Sequence, residues 1–284
     1  MAKVKAVVHG AVSLVNAIAT QKGATLGIAL KVETTVEANP GKGMILKSEN
    51  KSLSSRLINK TVEKIVSKTD LEQNKITITL DSEIPTGYGL KSSSAISSAV
   101  ALACAKIFKP KLTDKQILLA GVDASIESKV SITGAYDDAC SCYYGGFNVT
   151  DNAKRKRIRF EKGPNNLVAI IFIPKNRKRG NLKNLKILSS VFENAWEMTK
   201  KRNYWEAMII NGLAISSILN LDPKIIPSLI EKKAICASIS GNGPAIAAIT
   251  KKENESAIKK VFSILEGNII VSKINNKKAE VHEL

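Results

Sequence analysis

Three serines behind two glycines are the residues of this chain best suited to chemistry: Pro85-Thr86-Gly87-Tyr88-Gly89-Leu90-Lys91-Ser92-Ser93-Ser94-Ala95. An alternating segment, Lys75-Ile76-Thr77-Ile78-Thr79-Leu80-Asp81, leads into them, and an apolar helical pattern runs out from Ala95 to Phe108. Strand, glycine turn and helix start is the order in which bare backbone N–H groups converge on a phosphate. The glycines let the backbone approach closely, and the helix N-terminus adds about half a positive charge. The hydroxyls can hold phosphate oxygens or a bound magnesium ion. One serine would suffice as a helix cap; three behind two glycines favour phosphate binding. The loop is not of the Walker type, because no G-x-x-x-x-G-K-[ST] occurs, and Gly87 and Gly89 lack the third glycine of G-x-G-x-x-G.

Phosphoryl transfer also needs a carboxylate to hold magnesium, and often another to orient or deprotonate the attacking hydroxyl. Glu127, at the end of a helix opened by the capping box Thr113-Asp114-Lys115-Gln116, and the pair Asp137-Asp138 are the candidates. A helix N-cap is the competing explanation for the pair. A second glycine turn, Ser238-Ile239-Ser240-Gly241-Asn242-Gly243-Pro244-Ala245, reads as a hairpin whose Gly and Asn tolerate positive φ.

Taken together, these segments resemble the GHMP kinases, the superfamily of galactokinase, homoserine kinase and mevalonate kinase. The serine loop matches the second motif, P-x-x-x-G-L-x-S-S-[SA], and the Gly241 turn resembles the third. The resemblance implies ATP and Mg2+ as cofactors, with the triphosphate on Pro85, Gly87, Gly89, Leu90, Lys91, Ser92, Ser93, Ser94 and Ala95. It implies magnesium on Glu127 and Ser94, because Glu127 and Asp138 share the spacing of the family's magnesium-binding Glu and catalytic Asp. Asp138 is then the base or positioning carboxylate, with Asp137 a close second, since a one-residue gap matches the family's Asp-Asn-Ala to Asp137-Asp138-Ala139. Lys91 is placed to neutralise developing charge, though it could equally point to solvent.

The segment from His9 to Ala24 lacks the usual first motif. It is similar instead to the H-G-A…N-A-I-A-T-x-K-G-A run of the archaeal-type shikimate kinases. That likeness implies shikimate as the small-molecule substrate, with Asn16, Lys22, Gly241, Asn242 and Gly243 as substrate-binding residues and the 3-hydroxyl as the acceptor. An alternative role for Lys22 is to lower the pKa of the catalytic carboxylate by its charge, and a β-hairpin with a solvated lysine explains the segment without a ligand. Arg177 or Arg179 could clamp a substrate carboxylate from the second half.

The elements that must position these residues alternate strand and helix up to about residue 150. Beyond it come a continuous apolar strand at Leu167–Ile173, amphipathic helices near Leu185–Lys200 and Tyr204–Leu219, a short helix at Pro223–Lys232, then strand, turn, strand, helix and strand. The expected fold class is α+β in two parts. Residues 1–150 form an ATP-binding half whose fold type the family shares with a ribosomal-protein domain, and residues 151–284 a ferredoxin-like half, with the site between them.

At 284 residues, with 44% apolar and 24% charged composition, the chain can bury a substantial core. It shows no bilayer-spanning stretch and no signal peptide, so the cytoplasm is the expected location. Cys104, Cys140, Cys142 and Cys236 lack zinc-site spacing and read as free thiols in a reducing compartment. A formal charge of +18 raises nucleic acid as a partner. Aromatics are only 5% of the chain, and the basic clusters Lys154–Arg157 and Lys175–Arg179 carry none, which argues against base-stacking RNA recognition. Homoserine or mevalonate kinase activity is the nearer alternative.

Overall fold

The structure, a computed structural model, describes residues 2–49, 52–131, 133–176, 180–219 and 221–284. Arg177 and Arg179 lie outside the described residues. Strands β1 (Ala2–Val15), β2 (Lys22–Pro40), β3 (Gly43–Lys47), β4 (Asn74–Ser82), β5 (Phe147–Asp151), β6 (Lys156–Glu161) and β11 (Glu280–Glu283) form the first sheet. Strands β7 (Leu167–Pro174), β8 (Cys236–Ile239), β9 (Ile246–Lys251) and β10 (Gly267–Lys273) form the second. Helices α1 (Ser55–Ile65), α2 (Lys68–Gln73), α3 (Ser92–Phe108), α4 (Asp114–Glu127) and α5 (Tyr136–Tyr144) belong to the first part. Helices α6 (Ser189–Lys200), α7 (Tyr204–Ile218), α8 (Ile225–Glu231) and α9 (Glu255–Phe262) belong to the second.

β2 is the spine of the first sheet. Its Val32–Pro40 end pairs with β4, its Lys22–Leu26 end with β5, and both stretches pair with β1. The alternating Val4, Ala6 and Val8 all point inward. α3 runs through the core beneath the sheet, with Ser92 and Ser94–Ala105 buried. Its small residues permit close packing: a Cβ on Gly121 of α4 would stand 3.0 Å from Ser97 Oγ. The expected capping box of α4 forms, Thr113 Oγ1 accepting from Gln116 N–H while Gln116 Oε1 accepts from Thr113 N–H.

The second sheet has the order β10-β7-β9-β8, all pairs antiparallel. With helices between β7 and β8 and α9 between β9 and β10, that is the ferredoxin-like arrangement expected. Its continuous apolar strand is buried on both faces. Ala169, Ile171 and Ile173 join the core of the first part, while Val168, Ile170 and Phe172 pack with Phe192, Ile215 and Phe262.

The boundary differs from a division into 1–150 and 151–284. β6 continues a hairpin from β5, and β11 returns to pair with β1, so residues 156–161 and 280–283 belong to the first sheet. Hydrogen bonds from Ala279 N–H to the Tyr143 carbonyl and from Gly146 N–H to the Asn275 carbonyl hold this return. The pairing of β11 with β1 joins segments too far apart in sequence for local pattern to register. Among the described residues, no helix is long and apolar enough to cross a membrane.

Candidate active site

Two helices begin at one cleft. The residue before α3, Lys91, and the residue before α5, Ala135, both adopt left-handed backbone at φ 68° and 50°. Each turns the chain sharply into its helix, so the N-terminal ends of both face a cavity of about 310 Å³. Gly87, Gly89, Lys91 and Ser92–Ser94 line one side; Ser125, Ser131, Thr133, Ala135, Asp137 and Asp138 line the other. Ser13, Asn16, Gly241 and Asn242 close the end between the two sheets. Hydroxyls, glycine backbone and two positive helix ends suit an anion.

The serine loop sits directly on the Gly241 turn. A Cβ on Gly89, whose φ is +85°, would lie 1.9 Å from the Ser240 carbonyl oxygen. Ser240 Oγ donates to the Gly89 carbonyl (2.8 Å), and Ala245 N–H donates to that of Tyr88 (3.2 Å). Of the expected loop contacts, Leu90 and Ala95 turn fully into the core, and Pro85 and Gly243 stand off the lining. The remaining loop residues line the cleft.

Lys91 points inward. Its side chain is only 5% exposed, with Nζ 2.8 Å from Asp138 Oδ1 and donating to Ser13 Oγ at 2.7 Å. Asp138 Oδ1 is itself buried against this ammonium. Asp137 is more deeply placed. Asn152 Nδ2 donates to its Oδ1 (2.7 Å), and the Asp137 N–H donates to Asn152 Oδ1 (3.1 Å). Burial, and then the adjacent charge of Asp138, push the Asp137 carboxyl up to about 7, against the opposing pull of Lys91 and Asn152.

Asn16 lines the cleft with its amide engaged: Nδ2 donates to the Gly241 carbonyl (2.7 Å) and Oδ1 accepts from Ile18 N–H (2.8 Å). Two expectations need correction. Lys22 does not reach the cleft; its ammonium pairs with Glu193 and lies 4.8 Å from the centre of the Trp196 ring. Glu127 does not reach it either, being exposed and paired with Lys64 of α1. The helical period explains the second case. Ser125, two positions earlier, faces the cleft, and two residues turn a helix by about 200°, which sends Glu127 to the opposite side. Sequence spacing matched the Glu127–Asp138 interval without reporting helix phase.

Ser13, Asn152, Ser125, Ser131 and Thr133 escaped sequence reading. Ser13 and Asn152 carry no motif, and only the pairing of β1 and β5 with β2 brings them here. Cys140 and Cys142 are fully buried beside the site, and burial holds both thiols protonated, that of Cys140 at about 12.

Residues 56–146 match the GHMP kinases N terminal domain. The whole chain superposes on homoserine kinase from Cytophaga hutchinsonii with a TM-score of 0.76 at 18% identity, covering 99% of this chain and 98% of the other. The two chains therefore share one fold. Shikimate kinase from Methanosarcina acetivorans is 35% identical over 277 residues, spanning 95% of this chain and 93% of its own length. Shikimate kinase from Methanobrevibacter smithii is 35% identical over 279 residues, spanning 94% and 95%. The chain belongs to the GHMP kinase family, and as a kinase it draws its phosphoryl group from ATP.

Proposed function

We propose that this protein is a cytoplasmic shikimate kinase, transferring the γ-phosphoryl group of ATP to the 3-hydroxyl of shikimate. The observation that carries the reaction class is the convergence of Asp138 and Lys91 at the start of α3, on a loop of glycines and serines. The substrate comes from the relatives above, alike over nearly the whole chain.

In this reading the triphosphate rests on Gly87–Ser94. Asp138 faces the cleft and receives the hydrogen of the attacking hydroxyl, orienting its oxygen toward phosphorus. Lys91 neutralises the charge that develops on the transferring group. Asp137, with a carboxyl poised near neutrality, lies behind Asp138 and adds proton capacity close to working pH. Asn152 keeps its oxygen in register.

Magnesium fits this donor set. The ion takes one or two carboxylates and completes its shell with phosphate oxygens and water. Asp138 and Ser94 line the cleft from its two sides and are the residues that would hold the ion. Bound there, the ion would offset charge on the β- and γ-phosphates. Among the described residues, no group of three or more His, Cys, Asp and Glu gathers at this cleft or anywhere else, so phosphate oxygens and water would have to supply most of the shell.

The decisive assay is coupled ADP release with magnesium-ATP against shikimate, homoserine and mevalonate in parallel. Turnover on shikimate alone is expected; turnover confined to another alcohol would overturn the substrate. Asp138→Asn should bind ATP normally and lose kcat by about 10²–10⁴-fold. Near-normal turnover in that variant would move the role to Asp137.

A further inference from the structure

Ser13, near the end of β1, binds both Lys91 of the serine loop and the Gly241 turn. Lys91 Nζ donates to its Oγ over 2.7 Å, and Gly241 N–H donates to the same oxygen over 3.0 Å. The Ser13 N–H in turn donates to Ser240 Oγ (3.2 Å), the hydroxyl that holds the Gly89 carbonyl at 2.8 Å. Three segments, remote in sequence, therefore meet on one side chain that is 1% exposed and lines the cleft.

A hydroxyl oxygen offers two acceptor sites, and here both are filled. Rotating Ser13 about χ1 would break both bonds at once, so Oγ is a fixed point. Lysine needs one, because its ammonium is a point charge on a flexible four-carbon stem. Asp138 alone would leave Nζ free to pivot about a carboxylate that is itself 17% exposed and must also meet substrate. Ser13 supplies a second anchor from the rigid sheet.

We propose that Ser13 is a positioning residue for phosphoryl transfer. Its Oγ holds the Lys91 ammonium between Asp138 and the serine loop, and registers the Gly241 turn of the second part on the same atom. The proposal rests on the phosphoryl-transfer reading of the cleft but not on the identity of the alcohol.

The test is a double-mutant cycle of Ser13→Ala and Lys91→Met, with Ser13→Thr as the conservative variant. It is read both on shikimate phosphorylation and on the slower hydrolysis of ATP without an acceptor. Ser13→Ala should lower kcat about 10–100-fold and change the KM for ATP less than about threefold, since the lost effect lies in the transition state. Ser13→Thr, which keeps the hydroxyl, should recover most of the rate. In the Lys91→Met background, Ser13→Ala should cost less than about twofold more, because the two residues act as a unit.

Full additivity in the cycle would overturn the proposal, as would wild-type kcat in Ser13→Ala or an effect confined to KM. Should Ser13→Ala fail to fold, Ser13→Cys, similar in size but a weak acceptor, is read in the same way. Loss of fold in both would make Ser13 structural and overturn the proposal. Absence of shikimate turnover in the wild type would overturn the substrate instead, and the cycle would then be read on ATP hydrolysis.

Discussion

Asp137 and Asp138 are sequence neighbours with separate environments. Asp138 faces the cleft and Lys91; Asp137 is 3% exposed and held by Asn152. The raised Asp137 carboxyl has a consequence for stability. Between the ordinary aspartate value near 4 and its folded value of about 7, the native state retains a proton that the unfolded chain has released. The folded state therefore loses stability as pH rises through that window. Asp137→Asn removes the titration and keeps an acceptor for Asn152. Its unfolding free energy relative to wild type should rise from pH 4 to pH 7 and level off above, by up to about 4 kcal/mol at about 1.4 kcal/mol per unit. Urea unfolding of both proteins at pH 4.5, 6 and 8 measures this; a pH-independent difference would place the Asp137 carboxyl in the ordinary range.

At the scale of elements, the site is a matter of how turns enter helices. α3 and α5 both start from non-glycine residues in left-handed backbone, a local cost that the packing around the cleft sustains. The glycine positions are stricter. Gly89 combines a φ of +85° with the approach of the Ser240 carbonyl, so Gly89→Ala must displace backbone on one side or the other. It should destabilise the fold by about 1–3 kcal/mol and weaken ATP binding at least about tenfold, read by thermal unfolding and by calorimetric titration. Unchanged ATP affinity would show that the loop and the Gly241 turn need not touch for phosphate binding. Helix phase also decides function here: α4 presents Ser125 to the cleft and Glu127 to Lys64 on the outside.

For the whole molecule, the two parts are joined by buried polar contacts as well as by apolar packing. Asn211 on α7 accepts from Asn16 N–H at 2.8 Å and donates to Ser238 Oγ at 2.8 Å, linking β1 to the second sheet. Asn211→Ala would leave both partners buried without a replacement. It should lower stability by about 1–3 kcal/mol, seen as a lower urea midpoint at unchanged slope. The same variant should raise the KM for ATP, because Asn16 also carries the Gly241 turn. Wild-type stability would mean that the Asn211 bonds add nothing to the joint between the parts.

Local pattern by itself determined the serine loop, the capped helix α4, the buried strand β7 and the ferredoxin-like order of the second part. Each is written in consecutive residues, whose periodicity and turn chemistry act over a few positions. The pairing of β1 with β11, the inward course of Lys91, the outward course of Glu127 and the roles of Ser13 and Asn152 were decided only by tertiary structure. Those depend on which separate segments hydrogen-bond to one another and on the rotation of a helix about its axis. Ser13 shows the difference most plainly: it is an ordinary strand serine until Lys91 and Gly241, 78 and 228 positions away, place their N–H groups on its oxygen.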